Sequence, residues 1–261
     1  MKRPINRYAA AIVAVAVLAA GGAYFSRDHL TGQLVHNVLT KQARAALEQD
    51  AELSSMTLDS SSGLISIEQL AFTNLDDPRQ QQNLSAERVD LDVVVTGIMS
   101  PQVLVRHARV YNADFTLEYI APGVSNLKMI EQSFRAYIQQ RRAEGKKPVL
   151  QWDLEHVEMY DVRFHLIDYD GKQLADVVIP RIALNSLGTS NTPADNVAAF
   201  LRQVQLSVIE ETVKGRVKGD YDAIGLLQLI RRELPNSRLM EQKPTEMLKN
   251  MGRSLMERFT Q

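Results

Sequence analysis

The sequence contains no cysteine, so disulfides, thiolate catalysis and cysteine-ligated metals are excluded. It also lacks a net charge of either sign: 30 basic and 31 acidic residues leave a formal charge of -1, and no basic field points to nucleic acid. None of the five histidines (His29, His36, His107, His156 and His165) stands in an HExxH arrangement or another close metal pair. His156 and His165 are the two that can meet across a hairpin. The serines near position 60 belong to no G-x-S-x-G elbow. Asp90/Asp92 and Asp153/Glu155 alternate with apolar residues on the wet side of strands, outside any cleft that acid–base chemistry requires. Asp168-Tyr169-Asp170-Gly171 opens like a calcium loop but lacks the later ligands and closing glutamate, so it reads as a hairpin turn. These absences predict a protein that is not an enzyme and needs no metal or cofactor.

What is present is alternation. With 261 residues, 45% hydrophobic and 23% charged, the chain is long enough to bury a core without disulfides. Residues 86–119 carry the strongest pattern: Val89, Leu91, Val93 and Val95 on one side of an extended chain, Asp90 and Asp92 on the other. Asn112 to Asp114 makes a polar kink, after which Phe115, Leu117 and Tyr119 resume the apolar side. Ile65 and Ile67 begin the same pattern upstream, with a phase shift near Gln69-Leu70 where a bulge fits. Trp152 and Phe164 continue it downstream, and a last strand over 177–187 is broken at Pro180. Ile65, Ile67, Val89, Leu91, Val93, Val95, Phe115, Leu117, Trp152 and Phe164 are the candidate apolar sheet face. Strands repeated this often predict an antiparallel sheet.

Helical patterns flank the sheet. Ser125 caps a predicted helix over 126–144 that Gly145 and Pro148 end. Thr192-Pro193-x-Asp195 starts another, with a cap, an early proline and an early acid. Ile224, Leu227, Ile230 and Leu234 space a short helix closed by Pro235. After Pro244, Met247, Leu248, Met251, Leu255 and Phe259 face one way, as core packing or as a partner-binding or membrane-surface helix.

The N-terminus is different in kind. Lys2, Arg3 and Arg7 precede a run over 8–25 that holds no charge. That run is near the minimum for spanning a bilayer, and its basic head places the N-terminus in the cytoplasm. Tyr8, Ile12, Val13, Val15, Val17, Leu18 and Phe25 form the candidate anchor. Gly21-Gly22-Ala23 allows the competing reading of a cleaved signal peptide. Against it, Leu30, Leu34 and Val38 continue at helical spacing straight into residues 27–50. The expected organisation is a basic tail and transmembrane anchor over 1–26, an amphipathic connecting helix over 27–50, a β-rich domain over 51–215, and a helical segment over 216–261. The fold class is α+β: one N-terminal transmembrane helix, a curved, mostly antiparallel sheet with a hydrophobic face, and flanking amphipathic helices.

This order of features resembles the short members of the AsmA-like family of inner-membrane-anchored envelope proteins. The resemblance is carried by the anchor, the strand segment 63–74, and Ala86-Glu87-Arg88-Val89-Asp90-Leu91-Asp92-Val93. It continues through the paired strands of 103–119 around their kink and the Ser125-Asn126-Leu127 helix entry. Residues 149–166 and Ile179-Pro180-Arg181-Ile182-Ala183-Leu184 complete it, so that it reaches from the anchor to about Val208. The resemblance implies a single-pass bacterial inner-membrane protein with a periplasmic body and a hydrophobic concave sheet face. The role it implies is lipid transport or outer-membrane assembly, with the inner membrane, phospholipid and another envelope protein as partners. The alternative is a structural or accessory subunit that docks on another membrane complex through its helices.

Overall fold

The structure, a computed structural model, describes residues 49–59, 62–74, 84–94, 102–145, 151–187, 193–214 and 216–233. Along the chain these form β1 (Gln49–Glu52), β2 (Ser55–Asp59), β3 (Leu64–Asn74), β4 (Leu84–Val93), β5 (Gln102–Ala121), β6 (Val124–Ser125) and helix α1 (Asn126–Ala143). There follow β7 (Gln151–Ile167), β8 (Gln173–Leu187), α2 (Pro193–Val213), β9 (Lys218–Tyr221) and α3 (Ala223–Glu233). The fold is α+β, a curved sheet of nine strands in the order β1-β3-β4-β5-β7-β8-β9, with β2 beside β3 and β6 beside β5.

Pairing is antiparallel at every step but one. The expectation of antiparallel pairing fails between β5 and β7, which run parallel from Gln102↔Gln151 to Glu118↔Ile167. The cause is the connection: β5 returns to the sheet through α1, and a crossover helix brings the next strand back in the same direction. The predicted anchor, including Tyr8, Ile12, Val13, Val15, Val17, Leu18 and Phe25, lies outside the described residues. So do Val95 and the C-terminal Met247, Leu248, Met251, Leu255 and Phe259. Among the described residues no helix is long and apolar enough to cross a membrane. Residues 49 and 50, expected at the end of a helix, belong to strand β1. The segment from 216 on, expected to be helical, opens with β9, which pairs Val178 to Ala175 of β8. Gly219 makes that pairing possible: a Cβ there would sit 2.1 Å from the Asp176 carbonyl oxygen.

A transverse line organises the sheet. On β3 the buried residues are Ile65 and Ile67, then Leu70 and Phe72; on β4, Ala86, then Val89, Leu91 and Val93. β5 goes from Ala108 and Val110 to Ala113, Phe115 and Leu117. β7 goes from Val157 and Met159 to Val162, Phe164 and Leu166, and β8 from Val177 and Ile179 to Ile182 and Leu184. Every strand thus skips a beat, with two outward residues in a row. The registers put the skipped positions side by side: Gln69, Glu87, Asn112, Asp161 and Pro180. Gln69, Asn112 and Asp161 take left-handed φ values of 52°, 49° and 50°. One strand shifting phase alone would throw its apolar side chains to the wet face. Because five neighbours shift together, the apolar face stays continuous. Pro180 does not break β8, as expected from sequence, because it falls on this line, beyond the reach of β9.

The helices close on the apolar side. Ser125 Oγ accepts from the Lys128 amide at 3.3 Å and caps α1. Asn126, fully buried, donates from Nδ2 to the Thr116 carbonyl at 2.6 Å, and its Oδ1 accepts from the Glu118 and Leu127 amides. The Ser-Asn-Leu entry therefore caps the helix, ties it to β5 and buries its first apolar residue. Leu127, Phe134 and Ile138 of α1 join one core with Phe200, Leu201, Val204, Val208 and Ile209 of α2 and Leu226, Leu227, Leu229 and Ile230 of α3. Each such side chain contributes about 1.5–3 kcal/mol by leaving water. Ile224, expected on the apolar side of α3, is instead 64% exposed, since the helix turns Leu226 and Leu229 inward.

Candidate functional site

The structure brings the predicted apolar face together. Ile65, Ile67, Val89, Leu91, Val93, Phe115, Leu117 and Phe164 all belong to one cluster, each at most 2% exposed. Phe115 and Phe164 meet edge to face across the parallel pair, ring centroids 4.9 Å apart. Trp152 sits in β7 opposite Val103. In the described structure this surface is packed core and not an open trough.

The opposite face carries a ladder of paired charges. The Asp90 carboxylate, 6% exposed, accepts from Ser66 Oγ at 2.7 Å and Arg88 Nε at 2.8 Å. It is therefore not the free wet-side acid that alternation suggested. Glu158 accepts from the Tyr160 hydroxyl at 2.8 Å and from Arg181, and Arg109 stands 3.9 Å away. The Tyr160 hydrogen bond, then Arg181, holds the Glu158 carboxyl below its usual range. Tyr111 stacks on Tyr160 with centroids 5.3 Å apart, and His107 on His156 at 5.2 Å. His156 pairs with Asn185 Oδ1 at 2.8 Å. His156 and His165 do not meet across a hairpin, because both lie on β7. His165 instead stands between Asp114, at 3.3 Å, and Asp176, at 3.5 Å. Hydrogen bonding to Asp114 raises its pKa.

At the end of the sheet nearest α3 lies a polar network that sequence reasoning missed. The Tyr119 hydroxyl, buried, accepts from Gln205 of α2, and its ring stands edge-on to Tyr169 at 6.1 Å. Tyr169, on the β7–β8 hairpin, donates to Glu233 at the end of α3. The Glu233 carboxylate also accepts from the Gly123 amide at 2.9 Å. Arg232 lies over the Tyr169 ring at 3.7 Å and bonds Asp168 at 2.8 Å. Burial first, then the Glu233 carboxylate, pushes the Tyr169 hydroxyl up to about 12. The Asp168 to Gly171 segment is the expected hairpin turn: Gly171 has φ 75° and its amide donates to the Asp168 carbonyl at 2.8 Å. Beside this network a cleft of about 740 Å³ opens between α1 and α2, with Leu127, Leu201, Lys128 and Arg202 among its lining.

The polar contacts of this arrangement hold its elements in place. The Ser125 hydroxyl is spent on its cap, and the Glu233 carboxylate accepts from the Gly123 amide and the Tyr169 hydroxyl. Among the described residues no cluster of three histidine or acidic side chains can hold a metal. The network left little trace in the sequence: its members lie far apart along the chain, and only Tyr119, in a strand pattern, and Asp168 and Tyr169, in a turn, stood in recognised patterns. Comparison of the chain with protein families and with curated proteins finds no match.

Proposed function

We propose that this chain is an inner-membrane-anchored periplasmic protein of AsmA-like type that contributes to envelope lipid transport or outer-membrane assembly, holding acyl chains by burial and shape without covalent chemistry. The observation that carries this reading is the single apolar face that runs unbroken across β3, β4, β5, β7 and β8, kept on one side by the shared phase shift. The basic head and uncharged run over 2–25 and the family resemblance supply the membrane and the compartment. Since the face is closed, acyl chains reach it only where the helix cover parts. The cover element whose polar ties can be cut without touching its core side chains is α3, held at its end by Glu233 and Arg232, with the Lys172–Asp222 pair just before its first residue.

That same closure favours a second reading, an accessory subunit that docks on another membrane complex through its helices and keeps its sheet face as ordinary core. Lipid mass spectrometry on the full chain, purified from its own membranes in mild detergent, separates the two. Phospholipid retained at a fixed ratio to protein supports the first. A protein that carries no more lipid than an unrelated single-pass protein from the same membranes, and that co-purifies a stoichiometric partner, supports the second.

A further inference from the structure

The outward edges of the described sheet are not alike. At one side, β1 and β2 are short and carry Asp50, Glu52 and Asp59. At the other, β9 is four residues long with Lys218 and Asp220. Short, charged edges of this kind resist the addition of another strand. β9, however, covers only Ala175 to Val178 of β8. Past Pro180, residues 181–187 pair with β7 on one side, and among the described residues nothing pairs on the other. This stretch reads Arg181-Ile182-Ala183-Leu184-Asn185-Ser186-Leu187. Its single charge, Arg181, is taken by Glu158, and the six residues after it carry none. The devices that blunt the other edges are missing here.

We propose that residues 181–187 of β8 are an interaction surface for a second copy of this chain, the two strands pairing antiparallel about a two-fold axis to join the sheets of both copies. Self-pairing fits this edge for three reasons. A two-fold interface sets one surface against itself, so it needs a stretch free of like-charge clashes, which the uncharged run provides. With the axis at Leu184, Ala183 faces Asn185 of the second copy, and Arg181 faces Leu187. No charge then meets its own kind. Because equivalent faces stay together in this register, Ile182 and Leu184, both buried, extend the apolar face across the junction. This inference does not depend on the lipid reading.

The absence of cysteine gives a clean test. Full-length Ala183→Cys/Asn185→Cys, two exposed positions, is compared in detergent micelles with Thr57→Cys on the opposite edge. Directly opposed side chains place their Cβ atoms about 5 Å apart, within reach of a short bis-maleimide. The expected result is a covalent dimer forming at least tenfold faster in the double variant than in Thr57→Cys. It comes with a two-copy mass for the unmodified protein in light scattering. Fast linkage of Ala183→Cys alone equally reports a β8–β8 ladder, centred one residue earlier. A monomeric mass with no excess linkage at β8 overturns the proposal, and so does a dimer that links through Thr57→Cys instead.

Discussion

Single residues divide sharply by face. Leu91 is fully buried in the shared core, so Leu91→Asp places an unpaired carboxylate among apolar side chains. We expect a loss of about 3 kcal/mol or more, read as a lowered unfolding midpoint in detergent and a fall in the amount of protein recovered. Its neighbour Asp90 points the other way but is paired with Ser66 and Arg88, so Asp90→Leu is not neutral: about 1 kcal/mol is lost with those bonds. Alternation alone predicted the face of both residues correctly and missed the pairing. A period of two reports direction, while partners come from the register of strands far apart in sequence. His165 provides a pH-dependent case. Its pKa is raised by Asp114, so its contribution is complete below the unfolded value of about 6.5 and fades as pH rises through the folded value. Asp176 is held low, first by its hydrogen bond to Arg163, so its share is complete above about pH 4 and fades as pH falls through its folded value. Stability should therefore decline as pH rises from about 6.5 through the raised folded value, by less than about 1 kcal/mol since Asp114 is half exposed, and His165→Asn should flatten that slope in thermal melts. A slope unchanged in His165→Asn would assign it to other groups.

Elements show how much of the fold was legible. The Ser125 cap, the helix it opens, the phase shift near Gln69, the kink at Asn112 and the hairpin at Gly171 all stand in the sequence as local chemistry, and the structure places them there. The bulge expected at Gln69 is absent: Glu68↔Arg88 and Leu70↔Ala86 keep one register, and the left-handed backbone of Gln69 makes the shift without an extra residue. What no local pattern revealed is that Gln69, Asn112 and Asp161 share one line, because that depends on pairing across strands. Asn tolerates left-handed backbone and a β-branched residue does not. Asn112→Val should cost about 1–3 kcal/mol, while Asn112→Gly, which keeps the backbone free and loses only the bond to Glu87, should cost less. Chemical denaturation of the two variants checks the order; equal losses would mean that the side-chain bond dominates. Gly219 is a second backbone constraint. Gly219→Ala meets the Asp176 carbonyl and should detach β9, seen as faster hydrogen exchange over 218–221 with the central strands unchanged. The parallel β5–β7 pair was equally hidden, since strand direction follows from the connection and not from apolar spacing.

At the scale of the whole molecule, seven strand positions about 4.8 Å apart span about 30 Å between the outermost strands. The described sheet of one copy is therefore too short to bridge two membranes, and sheets joined through β8 would lengthen it. The apolar face was legible from sequence because burial imposes a period. The network of Tyr119, Tyr169, Glu233 and Arg232 was not, because contacts across 64 to 110 residues leave no period. That network ties α3 to the β7–β8 hairpin and to Gly123, and under the proposed function it sets access to the apolar face. Tyr169→Phe with Glu233→Gln removes the Tyr169–Glu233 bond between hairpin and helix at a cost of about 1–2 kcal/mol, leaving the Arg232–Asp168 bond and the core side chains in place. The most direct measurement of the central claim is the phospholipid bound per protein for this variant and for the native chain, both purified from the same membranes in the same detergent. If acyl chains lie on the apolar face beneath a parting cover, native protein retains lipid and the loosened variant exchanges added labelled phospholipid several-fold faster. Lipid at background in both, with the fold intact, would contradict it.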